Sequence, residues 1–351
     1  MKRLLRLSVV GALVAAGGIG ATTAPANAAS TIVVGPGQSI QHAVNRAHPG
    51  DTILIKPGHY QQSVLVAKNH LRIKGSGASL GGTVIEPAAK PVGPCAGHGI
   101  GICVLDPHFQ KTIVGTRIDN LLVRNFHEDG VLAINTRDLL VQNVVARDNG
   151  EYGIARFAST GGALINNVAT GSGEAGLYIG DSPNANVFVA ANEVSGNGFG
   201  IFFRHSQHAA FLYNDAHDNC IGFFAVSGPP HPPVGDAVVR YNTVRHNNKV
   251  CTGGEELPFD YSGGGIVLLG AKDMVIGNNS VLSNRGNSPL SGGIALLSGA
   301  MIGAGPSTGN TIQNNTAYHN TPADIVDHSG GNNTFRGNAC RTSDPGGLCK
   351  H

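Results

Sequence analysis

The sequence contains no tryptophan, and methionine is rare, with 3 residues in 351. Charged residues make up 13% of the chain, against roughly a quarter in ordinary soluble domains. The formal net charge is +2, and no basic run follows the first few residues. Past the N-terminal segment no stretch is apolar enough to span a bilayer. We therefore expect neither a nucleic-acid partner nor a membrane span.

The N-terminal segment has the features of a secretory signal peptide. Three of the first six residues are basic, an apolar stretch begins at Leu7, and an A-x-A cleavage sequence ends at Ala28. We predict that residues 1–28 are removed and that the protein is secreted to the extracellular space. Residues 29–340 are then left for the folded domain and residues 341–351 for a C-terminal tail.

Glycine is abundant, with 51 residues, and two sequence motifs recur along the chain. In one, a glycine opens a short apolar strand: Gly130, Gly153, Gly176, Gly200, Gly222, Gly265 and Gly293. The first five of these lie 23, 23, 24 and 22 residues apart. In the other, an asparagine is followed in most cases by Val or Ala two residues later: Asn143, Asn167, Asn192, Asn214, Asn242, Asn279, Asn315 and Asn338. A period of this length predicts a solenoid, in which each repeat stacks on its neighbours.

Each repeat divides into short strands. The first and third residues after each glycine are predicted to face the core: Val131/Ala133, Ile154/Arg156, Leu177/Ile179, Ile201/Phe203, Phe223/Ala225, Ile266/Leu268 and Ile294/Leu296. A second strand precedes each repeated asparagine and a third follows it, with no helix between them. We therefore predict an all-β chain of about ten coils, in which each strand pairs in parallel with the next turn.

The repeated asparagines are predicted to have a structural role. A bend in every coil leaves backbone groups that must be satisfied inside the stack. Asparagine tolerates the left-handed conformation and carries both a donor and an acceptor, so all eight are expected to form one ladder that bonds from coil to coil.

The six cysteines are expected to form disulfides, because the chain is exported and lacks the clustered Cys and His spacing of a zinc site. The spacing favours Cys95–Cys103 and Cys340–Cys349, each closing a small loop. Cys220 and Cys251 follow consecutive asparagines of the repeat, so this pair would bridge adjacent coils. The sequence alone leaves other connectivities open.

An amphipathic helix is predicted near the start of the domain. Ser39 precedes Ile40, Ala43, Val44 and Ala47, which share one helical face. Such a helix would cap the open end of the stack and protect its first strand edge.

Recognisable sequence motifs also occur in this N-terminal part: IVVGPGQSIQ at residues 32–41, PGDTI at 49–53 and KPGHY at 56–60. They resemble the opening of right-handed parallel β-helix repeat proteins. That group is similar in fold to pectate lyases, and it includes mannuronan epimerases and the copper-site accessory protein of nitrous oxide reductase. The resemblance implies a single-stranded right-handed β-helix, but fold alone does not define the reaction.

Enzymes of this fold bind polysaccharide in a groove along an outer face, so the outward positions of the glycine-led strands are informative. Tyr178, Phe202 and Phe224 occupy these positions on successive coils. They are predicted to form an exposed aromatic strip about 10 Å long that stacks on sugars. The alternative is that a loop covers them, most obviously the insertion that begins at Ser227.

Polar residues next to this strip are candidates for uronate chemistry, which needs a cation, a base and an acid. Arg204 or Arg156 would neutralise the carboxylate, and His205, oriented by Asp181, would take the carbon-5 proton. Tyr178 would protonate the departing oxygen. Arg156 takes an inward position, so it is either a buried, paired guanidinium or a sign that its coil is shifted.

A second candidate set lies earlier in the chain. Asp106-Pro107-His108 resembles the Asp-Pro-His motif of mannuronan epimerases, and Asp129 follows at a similar distance. In that family the Asp and His act in proton transfer beside a tyrosine three residues before the Asp. Here Cys103 stands in that place, which removes the expected proton donor.

The predicted function is action on an extracellular, acidic polysaccharide by lyase-type β-elimination, carried out by a monomer. The alternatives are a non-catalytic carbohydrate-binding or surface protein and a uronate epimerase. The resemblance to lyases implies calcium as a possible cofactor, although no aspartate cluster of the calcium-loop type occurs. The 15 histidines are dispersed and methionine is scarce, which disfavours copper delivery. No metal ligands are assigned from the sequence.

Overall fold

The computed structural model describes residues 28–350 except 255 and 256, so the predicted signal peptide lies outside the described residues apart from Ala28. Within this range the strands form three long parallel sheets of 12, 10 and 11 strands, here called sheets A, B and C, and one two-stranded sheet. Successive coils contribute a strand to each long sheet, and every named strand pairing is parallel. The predicted parallel solenoid is confirmed.

The strand bounds follow in chain order within each sheet. Sheet A contains Thr31–Val34, Thr52–Ile55, Arg72–Lys74, Arg117–Asp119, Leu140–Gln142, Ala163–Ile165, Val187–Ala190, Ala209–Leu212, Val238–Arg240, Val275–Gly277, Thr311–Gln313 and Thr334–Arg336. Sheet B contains Gly58–Gln61, Thr83–Glu86, Leu122–Arg124, Val145–Arg147, Val168–Thr170, Glu193–Ser195, Asp215–His217, Thr243–Arg245, Ser280–Leu282 and Thr316–Tyr318. Sheet C contains Val64–Val66, Ile102–Val104, Val131–Ile134, Tyr152–Phe157, Ala175–Gly180, Phe199–Arg204, Ile221–Val226, Gly264–Leu269, Gly292–Leu297, Ile325–His328 and Ser343–Asp344. The two-stranded sheet pairs Ile113–Val114 with Thr136–Arg137.

Helices are few in the described residues: Ile40–Arg46, Pro94–Gly97 and a 3₁₀ turn at Gly299–Ile302. The first of these is the predicted cap. The Ser39 side chain accepts a hydrogen bond from the His42 backbone N–H, and Ile40, Ala43 and Val44 are buried. At the other end, Ser343–Asp344 pairs with Ile325–His328, so the stack extends past residue 340 into the predicted tail.

The repeated glycines are explained by the distance between coils. A Cβ atom at Gly200 would lie 2.5 Å from the carbonyl oxygen of Gly222, its equivalent in the next coil. At Gly265 the same contact, to the carbonyl oxygen of Gly293, would be 2.2 Å. Since real Cβ atoms do not approach a backbone oxygen so closely, a larger residue would push neighbouring coils apart.

The asparagine ladder is confirmed for seven of the eight predicted members: Asn167, Asn192, Asn214, Asn242, Asn279, Asn315 and Asn338. Each amide except that of Asn338 donates to the side-chain oxygen of the next coil, as from Asn242 Nδ2 to Asn279 Oδ1 at 3.0 Å. A second ladder was missed in the sequence: Asn197, Asn219, Asn247, Asn284 and Asn320. It ends on the carboxylate of Asp324.

The prediction was wrong in two respects. Asn143 is not a member of the ladder, and the ladder asparagines do not themselves adopt the left-handed conformation. Val144 occupies the ladder position and donates its N–H to Asn167 Oδ1, whereas Asn143 lies one residue earlier with a φ of 52°. The left-handed residue of each bend is the one before the ladder asparagine, for example Asn166 or Asn278. The ladder amides are therefore selected for their donor and acceptor, and the preceding residue makes the bend.

All three predicted disulfides are present: Cys95–Cys103, Cys220–Cys251 and Cys340–Cys349. They agree with an oxidising compartment such as the extracellular space, while secretion itself stays a prediction. In the part of the chain that the structure describes, no helix is long and apolar enough to cross a membrane.

Candidate functional site

The outward residues of sheet C form the predicted aromatic row, but the row is not exposed. Tyr178, Phe202 and Phe224 are in register on consecutive strands, with ring centroids 5.2 and 5.5 Å apart. All three are 0–1% exposed. The prediction of an open sugar-stacking strip is therefore wrong, and these side chains form the centre of a second apolar cluster outside the coil.

Other aromatic side chains cover this row. The ring of Tyr152 stacks on that of Tyr178 at 4.6 Å, and Phe199 packs against Phe202 at 4.7 Å. Tyr261, from the insertion, stacks on Phe199 at 5.0 Å. The alternative prediction, in which the insertion covers the strip, describes this arrangement better.

Arg156 lies on the inner side of its strand, away from the outer face of sheet C. It pairs with Ala133 and Ile179 of the neighbouring coils and is 1% exposed. None of its three side-chain nitrogens has a hydrogen-bond partner among the described residues. Burial lowers the pKa of Arg156 to about 10. The structure thus contradicts a role for Arg156 at an outer-face site: it is a buried guanidinium, and the predicted pairing is not found in the described residues.

His205 and Asp181 do meet as predicted. His205 Nδ1 lies 3.0 Å from Asp181 Oδ1, and this hydrogen bond lowers the pKa of Asp181. The His205 side chain is buried beneath His231, whose ring stacks on it at a centroid distance of 4.2 Å. Their contact is established, while the predicted catalytic role of the pair stays a prediction.

The open part of this face is a groove that crosses the first coils of sheet C. Its larger section, of about 1070 Å³, is lined by residues that include His98, Leu132 and Asp129. A smaller section, of about 390 Å³, includes Tyr152, Glu174 and Arg204. Glu151 and Phe157 line both sections, so the two adjoin each other. The walls of the larger section are mostly apolar, as is usual for ligand sites.

Three glutamates stand one above another along this groove: Glu128, Glu151 and Glu174. The backbone N–H of each later one donates to the carbonyl oxygen of the one before at 2.9 Å, which places them at equivalent positions of successive coils. We call them the glutamate column. Adjacent coils lie about 4.8 Å apart, so these carboxylates repel one another and their neighbours.

Asp129 is a strongly perturbed acid of the groove. It is 4% exposed, and its Oδ1 accepts the backbone N–H of Tyr152 at 3.1 Å. Burial, and after it the negative charge of Glu151, raises the pKa of Asp129 to about 8. At neutral pH this side chain therefore carries a proton in the folded protein.

Tyr152 links Asp129 to the glutamate column. Its hydroxyl donates to Glu174 Oε2 at 2.9 Å, and burial together with the charge of Glu174 raises the pKa of Tyr152, so the hydroxyl stays protonated. Arg204, predicted as a catalytic cation, lines the smaller section, as Glu174 does. A protonated acid, three glutamate side chains, a phenol and a guanidinium thus line the two adjoining sections.

The Asp106, His108 and Asp129 set occupies different surroundings. Asp106 Oδ2 accepts the backbone N–H groups of Gln110 and Lys111, so it stabilises its own turn. His108 is exposed, while its neighbours Pro107 and Phe109 line the end of the groove. Asp129 alone of the three is among the groove-lining residues in the described part of the chain. The catalytic roles of the set stay predictions.

The sequence reasoning missed the glutamate column, although a signal for it was present. Glu128, Glu151 and Glu174 each stand two residues before a repeated glycine, with spacings equal to the coil period. An acidic residue that recurs with the period of a solenoid forms a charged row on one outer face. Such a row does not contribute to the apolar core.

Calcium binding also stays a prediction. Among the described residues, one group of three His, Cys, Asp or Glu side chains places its ligand atoms within 4.8 Å of one another, and it is Asp181, His205 and His231. The acids of the groove do not form such a group.

The family of the chain follows from its sequence and fold together. Residues 109–302 match the model of the right-handed β-helix region, which is more than half of the chain. The chain therefore belongs to the right-handed parallel β-helix family, as the N-terminal sequence motifs predicted. No curated protein matches it by sequence.

Solved structures with the same fold include carbohydrate-active proteins. The alginate lyase of a Paenibacillus species is 15% identical, with a TM-score of 0.58, over 88% of this chain and 99% of that one. The A-module of a mannuronan C-5 epimerase from Azotobacter vinelandii is 17% identical, with a TM-score of 0.57, over 85% and 88%. DFA-IIIase from Arthrobacter chlorophenolicus without its lid is 16% identical, with a TM-score of 0.54, over 82% and 84%. At these identities the likeness concerns the fold.

Proposed function

We propose that this protein is an exported enzyme that cleaves a polysaccharide bound in the groove of sheet C, with Asp129 as the proton donor. The observation that carries the proposal is the position of Asp129, a neutral carboxyl group beside the carboxylate of Glu151 in an open groove. Two acids whose surroundings separate their pKa values are the usual means of acid–base catalysis on glycosidic bonds. The fold shared with carbohydrate-active proteins supports this class of substrate.

The leading reaction is hydrolysis. Asp129 gives its proton to the glycosidic oxygen as the bond to the anomeric carbon breaks. Glu151 takes a proton from the water whose oxygen attacks that carbon, so the products are an alcohol and a new reducing end. Tyr152 holds Asp129 through its backbone N–H, which donates to Oδ1, and Oδ2 would carry the proton for the substrate.

The charge of the groove favours a neutral glycan. The glutamate column supplies three carboxyl groups, and Arg204 is the one arginine or lysine among the described residues lining the two sections. A polyuronate would meet like charge over most of this length. The apolar walls, with Phe109 and Phe157, suit the carbon–hydrogen faces of sugar rings.

Lyase-type β-elimination on an acidic polysaccharide is the second candidate, and Arg204 favours it. Elimination needs a cation near the uronate carboxylate, and Arg204 lines the smaller section of the groove. The protonated Asp129 would serve again as the acid for the departing oxygen. Uronate epimerisation would use the same groove without cleavage.

Proton NMR of the purified mature chain with separate neutral glycans and polyuronates distinguishes these reactions. New reducing-end signals from a neutral glycan are the expected result. Alkene signals from a polyuronate would establish elimination, and altered anomeric signals without cleavage would establish epimerisation. Unchanged spectra for every glycan would contradict the enzyme proposal and favour a carbohydrate-binding or surface protein.

A further inference from the structure

Asp181, His205 and His231 come together from two successive coils and a loop. Asp181 and His205 each follow a strand of sheet C, and His231 lies in the proline-rich loop that begins after the next strand. Their potential ligand atoms lie within 4.8 Å of one another. This cluster is separate from the glutamate column, and the inference drawn from it does not depend on the proposed function.

We propose that these three side chains bind one divalent transition-metal ion of the zinc type. Two imidazoles and a carboxylate are a common ligand set for such ions, with a fourth position left for water. The hard cations calcium and magnesium prefer oxygen ligands, so two histidines argue against them. Neither zinc nor any other transition metal was predicted at these residues from the sequence.

Two of the ligands already have a suitable geometry. His205 Nδ1 and Asp181 Oδ1 are 3.0 Å apart. In a tetrahedral zinc site, bonds of about 2.0–2.1 Å place neighbouring ligand atoms roughly 3.3 Å apart. The metal would therefore replace the proton of this hydrogen bond with a shift of a few tenths of an ångström. His205 is also held in place, because its side chain is 6% exposed and its Nε2 would lie only 3.0 Å from a Cβ atom on Gly228.

The third ligand has to rotate. The rings of His205 and His231 are nearly parallel, with an interplanar angle of 12°, and two stacked imidazoles cannot point their in-plane lone pairs at one ion. His231 is exposed, so its ring is able to swing toward Asp181. Binding would then tie the loop at Pro229–Pro233 to the coil that carries Arg204.

Isothermal titration of the mature chain with Zn²⁺ tests the site, after removal of metal with a chelator. The expected result is one Zn²⁺ per chain, with affinity reduced about tenfold or more in His231→Ala and in Asp181→Asn. His208→Ala is the matched control, because His208 is an exposed histidine three residues after His205. It should bind as the wild type does.

Cobalt(II) gives a second readout that does not depend on heat. Visible absorption of a tetrahedral cobalt site is expected for the wild type and for His208→Ala, and it should be lost in His231→Ala. Absence of both signals in the wild type would overturn the proposal. Equal affinity in the wild type and all three variants would also overturn it, since the metal would then bind at other histidines.

Discussion

The backbone N–H of Tyr152 donates a hydrogen bond of 3.1 Å to Asp129 Oδ1, across two neighbouring coils. The contact holds a buried acid in the groove by one oxygen. It favours the ionised form, but the pKa of Asp129 is still raised to about 8. Since Tyr152 also bonds to Glu174 through its hydroxyl, the position of the acid and the glutamate column are fixed by one residue.

The first prediction concerns stability against pH. Asp129 has a pKa of about 8 in the folded chain and an ordinary value of 3.8 when unfolded, so between these values the folded state holds one more proton. Stability from this group is present at low pH and is lost as pH rises toward 8, by about 1.4 kcal/mol per pH unit. Asp129→Asn removes this dependence.

Urea unfolding of both proteins across the acid and neutral range measures it. The free energy of unfolding of the wild type minus that of Asp129→Asn should fall with rising pH and level off above about 8. Asp148→Asn, at an exposed aspartate, should leave the slope unchanged. A pH-independent difference for Asp129→Asn would show that the carboxyl of Asp129 has the same pKa in the folded and the unfolded chain.

The second prediction concerns Arg156. Its guanidinium is buried without a hydrogen-bond partner among the described residues, in a column that has Ala133 and Ile179 on either side. Because an apolar residue needs no desolvation, Arg156→Met should raise the free energy of unfolding by about 1–4 kcal/mol. Arg147→Met, at an exposed position, should change it by about 0.5 kcal/mol or less. Destabilisation by Arg156→Met would mean that the guanidinium has a partner.

The third prediction concerns the first asparagine ladder. Asn242 donates to Phe211 O and Asn279 Oδ1, and its own oxygen accepts from Asn214. Asn242→Ala leaves these buried groups unsatisfied, so the free energy of unfolding should fall by about 2–5 kcal/mol. Asn332→Ala is the control, because Asn332 is exposed. Similar unfolding midpoints for the two variants would show that water replaces the ladder.

The fourth prediction concerns the glycine column. Gly200→Ala places a methyl group against the carbonyl oxygen of Gly222, and it should destabilise the fold by about 1–3 kcal/mol. Gly305→Ala has open space and a φ that other residues adopt, so it should be neutral or slightly stabilising. Thermal unfolding followed by circular dichroism compares them, and equal melting temperatures would contradict the packing argument.

The sequence predicted the coil well because the residues that repeat with the coil period meet a steric or hydrogen-bonding requirement. Gly200 and Asn242 are replaceable by few other residues, so their spacing reports the coil directly. The placement of Asn143 failed because the bend and the ladder use adjacent residues, and both positions accept asparagine.

The site was harder to predict because outward residues of a solenoid carry no local signal of what covers them. Phe202 alternates as an exposed residue does, yet Phe199 and the insertion bury it. The burial of Asp129 likewise depends on how several coils and the loop around Cys95 pack, which the period does not encode. The position of Glu151 in a charged row was predictable from the sequence, since the glutamate column repeats with the coil period.

The central claim is that a protonated Asp129 cleaves a glycan in this groove. The most direct test is the rate of reducing-end release from the glycan that the wild type cleaves, measured for wild type and Asp129→Asn across pH. The wild-type rate should fall as pH rises through about 8, and Asp129→Asn should lose about 100-fold or more at every pH while it stays folded. Wild-type activity retained by Asp129→Asn, or unaffected above that pH, would contradict the assignment of Asp129 as the acid.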